Sequence, residues 1–442
     1  MAPLLAGTEK LMLTGRLRDD DATKAKAGMD FGGIVDRRPA AVVEPCDADD
    51  IAEIVRFATD RGIRVSARGR GHSTHGQSLV DGGIVIDMSA LAAVHRVELG
   101  YAVVDAGATW RTVLEATLPR GLTPPVLTDF LDLSVGGTLS LGGIGGTSHR
   151  YGAQTDNVIA LEVVTGAGER LTCSRASNAE LFRAVLAGLG QCAIVTQATV
   201  ALVPAPTHVR RRIVAYPDAV SLNAAQRTLV EDRRCDYVEG LIVQDGQGGW
   251  LHNLEAVSFA ADADVVVGDG VVLETMTMSY FDFVNRLGDE ETFLSGLMHK
   301  VQPRPWCTVY VPGDDVDAVV DASLARPQSE VGSLGMFLVY PIPRSALSTP
   351  LLRVPDDETM FQFSVFRYAE PADAAAVKSM LAANRDMYAQ AQAVGGTLYP
   401  FASVVLDRDG WEAHWGNQWE MLRSAKTVYD PKGVLGSGQG IF

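Results

Sequence analysis

A glycine-rich stretch, ARGRGHSTHGQS at residues 67–78, has the residue types needed to bind an anion. Its alternating glycines would let backbone amides approach a phosphate closely, and Ser73, Gln77 and Ser78 add polar side chains. The stretch therefore predicts a cradle for a pyrophosphate, although a tight turn between two strands explains the same composition equally well. A Rossmann motif fits less well, because neither this stretch nor GGIGGT at 142–147 has the strand, glycine triplet and opening helix in order.

Composition excludes several classes of partner. The chain has 442 residues, of which 47% are hydrophobic and 21% charged, and its net charge is −16. A chain of this length predicts two domains or large lobes, and no apolar run is long enough to span a membrane. The negative charge and the lack of a Lys/Arg cluster argue against a nucleic-acid partner. The first residues, MAPLLAGTEKLMLTGRLRDDD, do not have the pattern of a signal peptide, so we expect a cytoplasmic protein.

The cysteine and histidine pattern predicts no metal site. Five cysteines are scattered along the chain without the close pairing of a zinc site. Among the eight histidines only His72 and His75 are close in sequence, and they lie in the glycine-rich stretch. We therefore expect ordinary reduced thiols and no bound metal.

Between residues 40 and 206 the sequence alternates strand and helix patterns, which is typical of an α/β arrangement. VGGTLSLGGIGG at 135–146 is too rich in glycine for a stable helix, because each interior glycine costs about 1 kcal/mol relative to alanine. NAELFRAVLAGLG at 178–190 predicts a helix capped by Asn178 and ended by glycine. Pro204 and Pro206 mark a boundary, after which mixed strands and helices predict a second, α+β lobe.

Four segments, taken in order, resemble the cytokinin dehydrogenases, a family of the vanillyl-alcohol-oxidase flavoprotein superfamily with a PCMH-type FAD-binding domain. They are GRGHS, TDFLDLSVGGTLSLGGIGGTSHRYGAQTDNVIALEVVTG, NAELFRAVLAGLGQCAIVTQA and YDPKGVLGSGQGIF. The resemblance is dense from about residue 40 to 206 and at the tail, and patchy between them. It implies a two-lobed α/β and α+β fold: an FAD-binding domain over 1–206 that follows an N-terminal helical segment, a substrate-binding domain with an antiparallel sheet over 207–419, and a return to the first domain over 420–442.

In this family the histidine of the GHS motif is bonded to the 8α-carbon of FAD, which implies covalent attachment at His72; without the resemblance, His72 would be an ordinary loop residue. His75 does not match that position, and we expect it to be exposed. Thr147, Ser148 and His149 stand where other members carry a second, cysteinyl bond, so a single bond is implied. The resemblance further implies a set of FAD contacts; alternatively, these residues only determine the shape of their loops. They are Ala67, Arg68, Gly69, Arg70, Gly71, His72, Ser73, Gln77, Ser78, Asp129, Ser134, Gly137, Ser140, Ile144, Gly145, Ile194, Tyr399 and Gln439.

Asp129, in LTDFLDL, matches the active-site aspartate of the family and is our candidate catalytic base. A carboxylate beside a flavin can accept an amine proton as hydride leaves the adjacent carbon. Strand alternation would turn Asp132 to the opposite face, towards solvent. The resemblance also implies substrate contacts at Glu239, Glu290 and Trp306. Alternatively, Glu290 belongs to a solvated helix start and Trp306 to the core.

The function implied by the resemblance is oxidation of a small secondary amine, such as the cytokinin isopentenyladenine. Hydride would pass to flavin N5, water would hydrolyse the resulting imine, and oxygen or a quinone-like acceptor would reoxidise the flavin. An FAD-linked oxidase that tailors a natural product is the alternative enzyme. A flavin-free binding protein with the same fold is a third hypothesis, which the intact GHS motif disfavours.

Overall fold

The first sheet carries the glycine-rich stretch at the end of a strand. A computed structural model of the chain describes residues 11–259, 264–288, 302–436 and 438–442. Four strands pair in the order β1-β2-β4-β3, of which β2, β3 and β4 are parallel. These strands and their two helices are β1 Arg16–Arg18, α1 Asp21–Ala27, β2 Ala41–Glu44, α2 Ala48–Arg61, β3 Val65–Arg68 and β4 Ile84–Asp87.

Helix α2 shows why the chain turns back into β3. The side chain of Asp47 accepts hydrogen bonds from the backbone amides of Asp49 and Asp50, which caps the helix start. Gly62 ends the helix with a φ of 65°, a conformation that favours glycine. Ile51 and Ile54 are fully buried on the face towards the sheet. The helix thereby places β3, and the loop after it, at the carboxyl edge of a parallel sheet.

A second sheet of five antiparallel strands has the order β5-β6-β10-β8-β9. A short pair, β7 with β11, lies apart from it. The strands and helices of this part are β5 Val94–Glu98, β6 Tyr101–Asp105, α3 Trp110–Thr117, β7 Leu122–Thr123, α4 Val135–Leu139, α5 Ser148–Tyr151, β8 Val158–Thr165, β9 Arg170–Ser174, α6 Ala179–Val185, β10 Ala193–Ala201 and β11 Val203–Pro204.

Two local expectations were wrong here. Residues 135–139 form a short helix despite their glycines. Backbone amides of Val135 and Gly136 donate to the carbonyls of Ala108 and Ala106, so tertiary contacts outweigh the low helix propensity. Asn178 stands at the N-cap position of α6 as expected, but its side chain does not cap the helix: the residue adopts a left-handed conformation and its side-chain amide donates to the carbonyl of Thr172. The helix ends at Val185, before the glycine that was expected to stop it.

The rest of the chain builds one large antiparallel sheet of eight strands, in the order β15-β12-β14-β13-β17-β18-β16-β19. Its elements and the helices that follow are β12 His208–Tyr216, α7 Ala219–Glu231, β13 Tyr237–Gln244, β14 Trp250–Ser258, β15 Val271–Ser279, α8 Tyr280–Val284, β16 Cys307–Pro312, α9 Val316–Leu324, β17 Met336–Pro343, β18 Thr359–Phe366, α10 Ala374–Ala393, β19 Thr397–Leu398, α11 Arg408–Trp415 and α12 Trp419–Tyr429.

After α12 the chain returns to the first sheet. The amide of Val65 donates to the carbonyl of Val434, and Leu435 forms a parallel bridge with Val65. A buried ion pair supports this return, with Lys426 Nζ 2.7 Å from Asp430 Oδ2. The carboxylate of Asp430 also accepts the backbone amides of Val434 and Leu435. The return segment is thus attached to β3 directly before the glycine-rich loop.

The described residues contain no helix long and apolar enough to cross a membrane. The five cysteines are free thiols, four of them buried.

Candidate active site

A cavity of about 850 Å³ lies where the first two sheets meet the eight-stranded sheet. Its walls come from the loop after β3, from helix α4 and strand β10, and from strands β13, β17 and β18 of the large sheet. This volume is near the upper end for small-molecule and cofactor sites. The cavity can therefore hold an extended ligand.

The cavity gathers most of the residues that the sequence predicted to bind cofactor or substrate. Those that line it are Ala67, Gly69, Arg70, Gly71, His72, Ser73, Gln77, Ser78, Asp129, Ser134, Gly137, Ser140, Ile144, Ile194, Glu239, Trp306, Tyr399 and Gln439.

Three predicted residues are not among these lining residues. The guanidinium of Arg68 lies behind the loop, where a Cβ on Gly71 would be 2.2 Å from it. The amide of Gly145 donates to Ser148 Oγ, and a Cβ there would meet the carbonyl of Leu127. The expected cofactor contacts of Arg68 and Gly145 therefore have no counterpart in the cavity wall. Glu290 lies outside the described residues.

The loop after β3 keeps its shape because glycines stand where side chains would collide. Gly71 has a φ of 66°, and a Cβ on Gly69 would lie 2.0 Å from Ser134 Oγ. Beneath the loop, Asp30 Oδ2 accepts hydrogen bonds from Ser73 Oγ at 3.0 Å and from the Gly76 amide at 2.5 Å. The close approach of Gly69 to Ser134 joins the loop to the start of α4. A side chain at Gly69 would collide with Ser134, and one at Gly71 with the Arg68 guanidinium, so either would distort the loop.

His72 is half-buried in this loop and faces the cavity. Burial, together with the positive charges of Arg304 and Arg70, lowers the pKa of its imidazole from 6.5 to about 3. The ring is therefore neutral near pH 7, with an unprotonated nitrogen that can form a bond to carbon. His75, which we expected to be exposed, is half-buried because the loop folds over on itself. Its backbone amide donates to Gln77 Oε1 at 2.7 Å.

Asp129 lies at the cavity wall within a hydrogen-bonded group of side chains. The hydroxyl of Tyr237 donates to Asp129 Oδ1 at 2.7 Å, and Arg286 Nη2 is 3.3 Å from the same oxygen. Arg286 also donates to the Tyr237 hydroxyl. Burial raises the pKa of Tyr237 well above 10, so the phenol keeps its proton and acts as a donor. Two donors therefore stabilise negative charge on Asp129.

Glu239 lies beside this group and is more deeply buried. Burial and the neighbouring Asp129 raise the pKa of Glu239 well above its usual range, which favours the protonated form of its carboxyl. Its Oε2 is 3.4 Å from Arg286 Nη2, and in the described part of the chain its Oε1 has no hydrogen-bond partner. Glu239 thus presents a buried carboxyl with an unpaired oxygen at the cavity wall.

Glu255 balances the charge of Arg286 from the neighbouring strand. It stands directly opposite Glu239 in the β13–β14 ladder, and its Oε2 is 2.9 Å from Arg286 Nη2. Arg211, on β12, forms an ion pair with the other oxygen of Glu255. Burial opposes the charge of Arg286, but Tyr237 and the carboxylates of Glu255, Asp129 and Glu239 raise the pKa of its guanidinium well above its usual range. Arg286 is therefore a fixed cation beside Asp129.

Trp306 is half-buried at the cavity, in a group of aromatic rings. Its ring is edge-on to Phe31 at 4.9 Å and to Phe366 at 4.6 Å between centroids. Of the two positions expected for Trp306, at the site or in the core, the structure shows the first, since the residue lines the cavity.

Asp132 is absent from the cavity lining and forms a bidentate ion pair with Arg111, at 2.9 Å for each bond. The expected separation from Asp129 was right, but its reason was wrong. Residues 128–133 form turns rather than a strand, so alternation does not apply.

Sequence reasoning missed Tyr237, Arg286, Glu255, Phe31 and Arg304. A signal for Tyr237 was present, since residues two apart on a strand share a face and Glu239 had been singled out. The other residues come from distant segments, and nothing in their local sequence indicates the cavity.

Two family models match the chain in the regions that build the cavity. One, described as an FAD binding domain, covers residues 39–174, and the other, described as "Cytokinin dehydrogenase 1, FAD and cytokinin binding", covers residues 268–442.

Similar proteins match over almost the whole chain. One is "Uncharacterized oxidoreductase ORF5 in fasciation locus" from Rhodococcoides fascians, 37% identical over 96% of this chain and 99% of the relative. Cytokinin dehydrogenase 6 of Oryza sativa subsp. japonica is 34% identical, over 97% of this chain and 92% of the relative. The crystal structure of a 6-hydroxy-D-nicotine oxidase from Arthrobacter nicotinovorans superposes with a TM-score of 0.74 at 20% identity, covering 96% and 97% of the two chains. That likeness supports the fold alone.

Fold and cavity together define an FAD-dependent oxidoreductase with the two-lobed FAD-linked oxidase fold. With its near full-length relatives, the chain belongs to the cytokinin dehydrogenase family. The glycine cradle, the neutral imidazole and the extended cavity all fit FAD.

Proposed function

We propose that this enzyme oxidises a small secondary amine of the cytokinin type, such as isopentenyladenine, with covalently bound FAD as hydride acceptor. The observation that carries the proposal is the carboxylate of Asp129, held at the cavity wall by the Tyr237 hydroxyl and the Arg286 guanidinium. The names of the relatives support the substrate class.

The residues proposed to hold FAD are the lining residues of the first two sheets and the return segment. The loop 69–73 would take the pyrophosphate on its backbone amides, and Ser134 and Ser140 would lie along the same wall. His72 would carry the single covalent bond, through a ring nitrogen to the 8α-carbon. Bound FAD supplies the hydride acceptor, N5.

Asp129 acts as the base in the proposed reaction. Its carboxylate accepts the proton of the amine N–H while the adjacent carbon loses hydride, which leaves an imine. Tyr237 and Arg286 both donate to the same carboxylate oxygen and orient it before the substrate arrives. Water then hydrolyses the imine to an amine and an aldehyde.

Glu239 and Trp306 are proposed to recognise the substrate ring. A protonated carboxyl is both a donor and an acceptor, which complements the adjacent ring nitrogens of a purine. The aromatic wall around Trp306 provides an apolar surface for a flat ring. Burial of Glu239 makes this contact selective, because a ligand without matching polar groups would leave the carboxyl unsatisfied.

Anaerobic mixing with isopentenyladenine tests the proposal. We expect the flavin absorbance to bleach, and we expect an Asp129→Asn variant to retain FAD but to be reduced at least about a hundredfold more slowly. Bleaching by other amines or alcohols but not by isopentenyladenine would favour the natural-product oxidase. Reoxidation by air, compared with reoxidation by a quinone, identifies the acceptor.

Acid denaturation tests the covalent bond separately. The wild-type precipitate should stay yellow, and a His72→Ala variant should release its flavin into the supernatant. A colourless wild-type precipitate would refute the bond without affecting the proposed amine oxidation.

A further inference from the structure

His72 lies in a stack of four groups that come from four different segments. The imidazole ring is 3.8 Å from the ring of Phe31 and 5.1 Å from that of Phe130, with interplanar angles of 23° and 24°. The Arg304 guanidinium carbon is 4.0 Å from the centroid of the Phe31 ring. We call Phe31, Phe130 and Arg304 the imidazole clamp. Stacking against the phenyl rings opposes rotation of the His72 ring about its Cβ–Cγ bond.

The two phenyl groups have no evident role in the hydrophobic core. Both are half-buried, and neither is a member of the buried clusters that pack the sheets. Phe31 belongs to the segment between α1 and β2, whose backbone is held to the loop by hydrogen bonds from Phe31 to Gly71 and from Gly32 to Ser73. Phe130 follows Asp129 directly. Their shared neighbour is the His72 ring.

The positive charges around His72 disfavour the protonated form of its ring. They belong to Arg70, on the same loop, and to Arg304, which contacts Phe31. Arg304 is itself fixed, since it is largely buried and its backbone amide donates to the carbonyl of Gly32. A neutral ring held in one plane is a preorganised nucleophile.

We propose that Phe31, Phe130 and Arg304 are positioning residues for the covalent attachment of FAD, the phenyl rings by fixing the plane of the His72 imidazole and Arg304 by packing against Phe31. The inference rests on the proposed bond at His72. In that step a bond forms between a ring nitrogen and the 8α-carbon, while one C–H bond at that carbon and the imidazole N–H bond break. The two hydrogens and two electrons stay on the flavin, which the acceptor used in turnover then reoxidises.

The test measures attached flavin rather than turnover. Full-length wild-type, Phe31→Leu, Phe130→Leu and Arg304→Met proteins are purified, total FAD is measured, and the share that survives acid precipitation is found from absorbance and from the mass of the His72 peptide. Variants with incomplete attachment are then incubated with FAD. We expect the leucine variants to bind FAD but to attach it roughly three- to tenfold more slowly, since a stacked aromatic pair contributes about 0.5–1.5 kcal/mol.

Arg304→Met tests the contact between the guanidinium and Phe31. It removes the cation that packs on this ring, so attachment should slow roughly two- to fivefold while total bound FAD stays near the wild-type level. Phe259→Leu is a matched control, because this half-buried phenylalanine contacts Tyr280 and does not line the cavity. It should attach FAD like the wild type.

Three results would overturn the inference. The first is wild-type attachment in both leucine variants, and the second is a parallel loss of total and covalent FAD, which would mean that the rings only shape the cavity. The third is a wild-type protein without acid-stable flavin. That third result leaves amine oxidation untouched, because bleaching of bound flavin measures it independently.

Discussion

A Tyr237→Phe substitution should slow the reduction of the flavin by the amine while the enzyme keeps its fold and its FAD. The change removes one hydroxyl, which donates to Asp129 at 2.7 Å, and leaves the buried ring in place. Arg286 keeps its contact with Glu255 at 2.9 Å. The base therefore loses one of its two donors without gaining a cavity.

The size of the effect follows from the lost hydrogen bond. A hydrogen bond to a charged group contributes about 1.5–3 kcal/mol, and about 1.4 kcal/mol corresponds to a factor of ten in rate. Without the Tyr237 hydroxyl the carboxylate of Asp129 is held by Arg286 alone and is less well oriented towards the amine. The rate of flavin reduction at saturating amine should therefore fall about ten- to a hundredfold.

The assay is stopped-flow anaerobic bleaching of the flavin by saturating amine. Tyr280→Phe is the matched control: Tyr280 is also buried, but its hydroxyl bonds to Thr123 at 3.1 Å and it is not a cavity residue. A wild-type rate in Tyr237→Phe, or an equal loss of rate in both variants, would refute the assignment of Tyr237 and Asp129 as an interacting pair.

Three further predictions concern other buried groups. Glu239→Gln should leave KM for the amine near its wild-type value, because burial and Asp129 raise the pKa of Glu239 and so favour the neutral form that glutamine resembles. Glu239→Ala should raise KM about tenfold, and equal KM values for both variants would exclude a substrate contact. Asp430→Asn should lower the free energy of unfolding in urea by about 3–5 kcal/mol, because it leaves the buried Lys426 ammonium without its partner, and a loss below about 1 kcal/mol would contradict this. Burial, aided by Arg353, lowers the pKa of His414 from 6.5 to about 3, so its contribution to stability is complete above about pH 6.5 and is lost as the pH falls. His414→Leu should flatten the decline in unfolding free energy between about pH 6.5 and about pH 4 by up to about 3 kcal/mol, and an unchanged slope would argue against a neutral, buried imidazole.

Local motifs carried most of what the sequence could predict. The loop at 67–78 depends on glycines that are neighbours in sequence, so the sequence could predict a turn next to a strand there. It also indicated Glu239, which lies on β13. The helix at 135–139 was missed because its stability comes from backbone bonds to residues 106 and 108 rather than from its own composition.

The environment of the base could not be predicted for a related reason. Arg286 is separated from Asp129 by 157 residues and from Glu239 by 47, and its role depends on how the large sheet meets the first two. Phe31 and His72 meet through packing of the segment before β2 over the loop, a contact that no periodic pattern encodes. Asp132 points away from the site as predicted, but the prediction assumed a strand at 128–133, where the chain forms turns and bends instead.

The return segment has a consequence for the order of biosynthesis. The last part of the cavity wall to be translated comes from Leu435, Gly436 and Gln439. The glycine-rich loop that lines the same cavity is translated more than 300 residues earlier. A nascent chain still emerging from the ribosome thus has this compartment open on one side. Capture of the dinucleotide should accordingly be a late event, dependent on the closing of Asp430 onto Lys426 rather than on the early folding of the parallel sheet.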